Sequence, residues 1–359
     1  MAGYIIISFD DPDFETKLVE SFKSDGVVVI SDVMTKSECD NHVDNIVGTV
    51  ENLGTGVKRG KCEETWLDDR LPPQTRLGLF QCGFSNIETV WKIRSDERIL
   101  KIFTILYSSL RQKELKTYDD FIVSGDGINL RPNGIDDYKT VGADWPHIDQ
   151  TDRSDVYKCI QGQMVLTNTT ASFVASPKSH TIYENIMDYY EIPPTEKSNW
   201  FRILNTKDKT IGEVKSMVEK AGGSWQIPIL SSAGSFIVWS SSTIHSARLP
   251  VKKEKKDKND IWLGWRSVVY VCYRPKDELT EDEIKTRQTA FEENRVTNHW
   301  GTKIFNKNPK GPTNRNAVKR DTVVHPTIRE IMDNPKVIYD KNIVMPNLND
   351  NCRKLLGYE

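Results

Sequence analysis

The 359-residue sequence predicts a mainly β protein with helical additions, built as a sandwich or jelly roll. From Phe121 onward, short runs of β-branched and aromatic residues recur at strand length, and Gly, Pro, Asn and Ser separate them as turns. The capped, helix-periodic segments stand before Phe121 and after Tyr273, apart from a polar, helix-prone excursion at 180–224.

Taken in order, Phe14, Leu18 and Phe22 at i, i+4 and i+8 predict a short amphipathic helix over 13–24 that stops at Gly26. Val27, Val28, Val29 and Ile30 then read as a buried strand. Thr35-x-x-Glu38 is a capping box, and Val43, Ile46, Val47, Val50 and Leu53 keep helical spacing until Gly54. Residues 55–84, rich in Gly, charge and Pro, read as a long irregular loop or lid. Ser85-x-x-Glu88 is the expected cap of a second helical region, whose later part buries Ile99, Ile102, Phe103, Leu106 and Leu110.

Strands are predicted over 121–123, 128–130, around His147, and over 162–166, 172–175, 234–239 and 268–273. The 180–224 excursion, with Tyr183, Tyr189, Tyr190, Trp200 and Phe201, is expected to cover one mouth of the barrel like a lid. Thr280-x-x-Glu283 caps a helix running towards Arg295, and loops with a helical segment near 326–332 follow. The expected division is a scaffold at 1–120, a core at 121–275 and an extension at 276–359, forming one structural domain overall.

The 49 basic and 51 acidic side chains give a formal charge of −2, so no overall field draws the chain to nucleic acid or to a membrane surface. The sequence contains neither a signal-peptide pattern nor an apolar run near the ~20 residues of a membrane span. An intracellular, cytoplasmic protein is expected. Six cysteines at 39, 62, 82, 159, 272 and 352 form no Cys-x-x-Cys pair and read as reduced structural thiols. The lysine-rich run at 252–258 reads as an exposed loop rather than a phosphate site.

The chemistry centres on Trp145-Pro146-His147-Ile148-Asp149-Gln150. On a strand, residues i and i+2 share a face at about 3.3 Å rise each, so His147 and Asp149 can reach one ion. His245, after the apolar strand ending at Trp239, is the best candidate for a third ligand. Two histidines and one carboxylate on one side of a metal are the arrangement of non-haem Fe(II) oxygenases. An organic co-substrate then needs an anchor, and Arg suits because its planar guanidinium binds a carboxylate bidentately. Arg266 opens the strand after the lysine-rich run; Arg248 and Arg274 compete with it.

In this order of segments the sequence resembles the phytanoyl-CoA dioxygenase-like branch of the Fe(II)/2-oxoglutarate-dependent oxygenases. The opening Phe22 to Ile30 with Thr35 to Glu38 carries the likeness, as do Trp145 to Gln150, the Pro177-Lys178-Ser179-His180 turn, Gly234 to His245, and Arg266. Thr297-Asn298-His299-Trp300 is similar to a segment found in one subgroup.

The resemblance implies a cupin-like double-stranded β-helix and the ligands His147, Asp149 and His245 for Fe(II). It also implies Arg266 for 2-oxoglutarate, with O2 as second co-substrate, and hydroxylation of a small-molecule substrate with release of succinate and carbon dioxide. Ser267 and Thr243 are candidates for hydrogen bonds around the co-substrate, and Gln150, Gln161, Arg131 and His299 for contacts to substrate. His180, on a hairpin end, reads as structural. Two other classes stay open: a jelly-roll binding module without chemistry, and a hydrolytic zinc site on the same three ligands.

Overall fold

The structure, a computed structural model, describes residues 3–67, 70–72, 74, 78–132, 145–250, 254, 257–305 and 345–358. Most of the lysine-rich run and the expected helix near 326–332 lie outside these residues.

The chain opens with strand β1 (Ile5–Ser8), helix α1 (Phe14–Asp25), β2 (Val27–Ser31) and α2 (Lys36–Asn52). A short helix α3 (Cys62–Thr65), β3 (Leu79–Phe80), α4 (Glu88–Arg94) and α5 (Glu97–Arg111) follow. Next come β4 (Phe121–Val123), β5 (Ile128–Arg131), β6 (His147–Ile148), β7 (Ile160–Val165) and β8 (Ser172–Ala175). The excursion holds α6 (Tyr183–Tyr189), β9 (Phe201–Arg202) and α7 (Ile211–Lys220). Then β10 (Ile227–Ile229), β11 (Phe236–Ser240), β12 (His245–Arg248), β13 (Arg266–Val271) and β14 (Tyr273–Pro275) complete the strand-rich half. Helix α8 (Glu281–Glu292), β15 (Val296–Thr297), β16 (Ile304–Phe305) and α9 (Asp350–Leu355) end the described chain.

Two sheets dominate. The larger runs β1-β2-β11-β7-β13-β5-β3, and the smaller β10-β8-β12-β6-β9. All their pairings are antiparallel except β1 with β2, which helix α1 connects as a crossover. From β5 to β8 and again from β10 to β13, successive strands alternate one by one between the sheets, with β9 an added edge strand of the smaller sheet, so neither sheet is complete until the chain has wound through both.

Period-two alternation explains how the large sheet is covered on both sides. Val27 and Val29 on β2, Val165 on β7, Ile237 and Trp239 on β11 and Val268 on β13 pack against Phe173, Ala175 and Ile229 of the smaller sheet. Their neighbours Val28, Ile30, Met164, Phe236, Val238, Val269 and Val271 face the opposite way, onto α1, α2, α4 and α5. The predicted capping box of α2 is present, with Thr35 Oγ1 accepting from Glu38 N and the Glu38 carboxylate accepting from Thr35 N.

Two expectations change. Among the described residues of 55–84, expected as an irregular loop or lid, Val57, Trp66, Leu71, Phe80 and Phe84 are buried in the main core, and Trp66 meets Trp265 edge to face at 5.4 Å. Ser85 caps nothing, because its hydroxyl donates to Phe80 O while α4 starts from Ile87 without a side-chain cap; Asp96 caps α5 instead. The 180–224 excursion builds its own apolar cluster from Tyr183, Ile186, Met187, Ile203, Val214 and Val218 over Ile148 and Ile244, and lends β9 to the edge of the smaller sheet. Among the described residues no helix is long and apolar enough to cross a membrane.

Candidate metal centre

His147 and His245 are directly opposed on β6 and β12, and His245 also faces Ala175 of β8, so both imidazoles point into the space between the sheets. Asp149 follows β6, held in place by its N–H donating to Ser241 O at 2.9 Å. One ligand atom from each of His147, Asp149 and His245 lies within 4.8 Å of the other two. All three residues are at most 5% exposed.

The orientation of each ring is set from behind. His147 Nδ1 lies 3.1 Å from Trp145 O and His245 Nδ1 lies 2.9 Å from Thr243 O. A carbonyl only accepts, so each Nδ1 carries a hydrogen and each ring turns its Nε2 inward, toward Asp149. Those nitrogens meet Asp149: His245 Nε2 is 3.1 Å from Oδ2 and His147 Nε2 is 3.6 Å from Oδ1. Asp149 Oδ1 is buried with no hydrogen-bond partner. Trp145 stacks on His147 at 4.4 Å and 9°, and Phe173 and Trp239 each stand 5.6 Å from the His245 ring.

Burial first, and the adjacent His245 imidazole second, push the His147 imidazole down to about 3, so it is neutral at ordinary pH. Burial would raise the Asp149 carboxyl, but His299, His147 and His245 outweigh it and hold the group well below the usual carboxylate range. The cluster therefore brings two imidazole Nε2 atoms onto an ionised, buried carboxylate, a set of groups suited to a divalent cation.

The other sequence candidates divide. Gln161 Nε2 donates to Asp149 Oδ2 at 3.1 Å, which makes it a positioning group for the carboxylate. Gln150 holds the loop after Asp149: its Nε2 donates to Asp152 O and Asp155 O, and its Oε1 accepts from Ser241. Thr243 donates to Gly26 O, filling a tight junction where a Cβ on Gly26, at φ +70°, would meet Thr243 Oγ1 at 2.6 Å. Ser267 shares its sheet face with Val269 and Val271, away from Arg266, so strand alternation turns it from the interior. His180 Nε2 meets Lys23 O at 3.0 Å.

Arg266 and Arg131 are cross-strand partners, both buried, on the inward face of the larger sheet. Arg266 stands between two cavities. One is lined by Gln163, Val165, Phe173, Ile229 and Val268, and through Phe173 it shares a wall with His245. The other is lined by Asn129, Arg131, Ala247 and Arg248. Arg274 lies elsewhere, its guanidinium 5.3 Å over the Trp300 ring.

Two residues of the C-terminal part complete the centre. His299 Nε2 lies 3.5 Å from Asp149 Oδ2, and Trp300 Nε1 donates to Asp149 O at 2.7 Å. The adjacency of His299 and Trp300 was visible in the sequence, but no spacing rule links them to Asp149.

Neither a search of family models nor one of curated proteins finds a match. Solved structures do match. A hypothetical protein of Escherichia coli aligns over 100% of this chain and 86% of its own at 12% identity, with a TM-score of 0.54. A putative oxidoreductase of Salmonella typhimurium aligns over 99% and 87% at 14% identity, with a TM-score of 0.52. This chain shares their fold. The epimerase SnoN, solved with Fe3+, alpha ketoglutarate and nogalamycin RO, aligns over 74% and 85% at 14% identity, with a TM-score of 0.44.

Proposed function

We propose that the protein is an Fe(II)- and 2-oxoglutarate-dependent oxygenase acting on a small organic substrate, with residues 121–275 forming a double-stranded β-helix. The observation that carries the proposal is the convergence of two imidazole Nε2 atoms on one buried, ionised carboxylate. One ion could reach a ligand atom of all three residues, and the orphaned Asp149 Oδ1 is the oxygen such an ion would take up. The strand orders β11-β7-β13-β5 and β10-β8-β12-β6 support that architecture. The ordered motifs favour the phytanoyl-CoA dioxygenase-like branch.

His147, Asp149 and His245 would hold the iron and leave its remaining positions open. Bound together, iron and 2-oxoglutarate supply oxygen activation, with succinate and carbon dioxide as by-products. The chain's own part is to position and exclude. Arg266 would pair with the distal carboxylate, its charge secured by the planar guanidinium and its geometry by a hydrogen bond to Ala171 O. Gln161 and Trp300 keep Asp149 from turning, while Trp145, Phe173 and Trp239 wall the imidazoles from water.

Anaerobic titration of the Fe(II)-loaded protein with 2-oxoglutarate tests this. A weak visible charge-transfer band should grow in, and opening to air should release succinate; both signals should vanish in His147→Ala. Absence of iron binding in the wild type would sink the reading.

A further inference from the structure

The metal centre opens beside a strip of side chains that the oxygenase chemistry leaves unused. Strand β9 pairs antiparallel with β6, with Arg202 opposite His147 and Phe201 opposite Ile148. The ladder continues one residue further, where Ile203 N donates to Pro146 O at 2.9 Å. Directly opposed residues of an antiparallel pair project to the same side, so His245, His147 and Arg202 form one row across β12, β6 and β9.

The alternation is confirmed from the other side. Ile148, Phe201 and Ile203 pack into the apolar cluster of the excursion, which leaves Arg202, opposite His147, on the face of the metal ligands, with Trp200 and Leu204 flanking it two residues away in the chain. Trp200 is 49% exposed and Leu204 40%, two of the few large apolar side chains left open among the described residues. The Trp200 ring centroid is 6.3 Å from that of His147. Arg202 is exposed, and among the described residues no carboxylate lies within ion-pair distance of it. Across the mouth, Asn199 Nδ2 reaches Thr302 Oγ1 at 3.5 Å, tying β9 to the loop that bears His299.

A solvated surface arginine is the ordinary reading of an exposed guanidinium. It does not account for two apolar neighbours held open on either side, in line with the candidate metal ligands. We infer that the strip Trp200, Arg202 and Leu204 is the recognition site for the primary substrate, an organic anion carrying a carboxylate or phosphate on an apolar or aromatic body. The guanidinium takes the anion bidentately, the indole face takes a flat ring, and Leu204 extends the apolar floor. This anion is separate from the co-substrate, whose proposed anchor Arg266 lies inside the barrel on another sheet. The inference deepens the oxygenase reading and rests on it for the identity of the ligand as substrate.

Four probes that differ in charge test it: phenylacetate, phenyl phosphate, benzyl alcohol and phenethylammonium. Affinities are measured by calorimetry on the full-length protein, first metal-free and then loaded with Mn(II) and saturating 2-oxoglutarate. In the loaded form, proton relaxation of the probe reports its nearness to the ion. The two anions should bind at least tenfold tighter than the alcohol or the amine, and should be relaxed by Mn(II). Arg202→Gln should erase the tenfold preference and leave the alcohol unchanged, while Trp200→Ala should weaken all the ring-bearing probes. Equal binding of the four, an unchanged preference in Arg202→Gln, or no binding of either anion at millimolar concentration would each overturn the assignment. A wild type that takes no Mn(II) refutes the metal reading instead, and the charge preference is still scored on the metal-free protein.

Discussion

At Asp149 the chain concentrates its control on one side chain. His147, His245, His299 and Gln161 address the carboxylate, Trp300 donates to the residue's carbonyl, and Ser241 accepts from its N–H. Groups that orient a ligand from behind tune metal affinity by about 10 to 100-fold. Trp300→Phe keeps the ring that packs on Cys159 and Cys272 but loses the indole donor. It should weaken Mn(II) binding by about tenfold in calorimetry, with an unchanged circular dichroism spectrum. At this scale the sequence was partly readable. His147 and Asp149 announced themselves by their i, i+2 spacing, and the same rule, applied to β13, already turns Ser267 away from Arg266. What spacing could not reveal is contact between distant segments: Trp300 meets Asp149 from 151 positions along the chain.

Helix α2 shows an element secured from two sides. Its capping residue Glu38 closes the box with Thr35 and also receives the Arg98 guanidinium from α5 at 2.9 Å. The Arg98 hydrogen bond is the largest influence on Glu38; burial opposes it and Thr35 assists, so the carboxyl is lowered to about 2. A carboxyl depressed by folding adds stability that is complete above its ordinary value, about 4.3, and disappears as pH falls through the folded value. Glu38→Gln retains the capping geometry and loses the charge. With the side chain 41% exposed, the pair is screened, and the variant should be destabilised by about 0.5 kcal/mol at pH 7. Urea unfolding should show that deficit shrinking between about pH 4 and pH 2. Long elements such as α2 and β11 were legible because period and caps agreed. Strands β6 and β9, two residues each, are too short to show a period, and β9 was hidden in a polar segment. The buried loop at 55–84 misled for the converse reason: Val57, Trp66 and Leu71 enter the core one at a time, without a repeat.

The molecule as a whole is two unlike layers against one sheet. The helices supply the apolar floor of the larger sheet, and the smaller sheet supplies the imidazoles. Composition and turn spacing announced this class of fold. The partnering of strands did not follow from them, because hydrophobic alternation states which face a residue takes and is silent on which strand lies alongside.

Asp149 and His245 stand 96 positions apart, on opposite sides of the excursion, and meet only once β6 and β12 have paired in the smaller sheet. An unfolded chain therefore presents scattered single donors, and only the assembled one offers a chelate. Any ion that occupies it acts as a thermodynamic clasp on the native state, worth about 4 kcal/mol when free metal exceeds its dissociation constant a thousandfold. Heating the protein across a graded series of Mn(II) and then EDTA should move the melting temperature up and back down. In Asp149→Ala the curve should stay flat, so the centre reports its own occupancy with no substrate in hand.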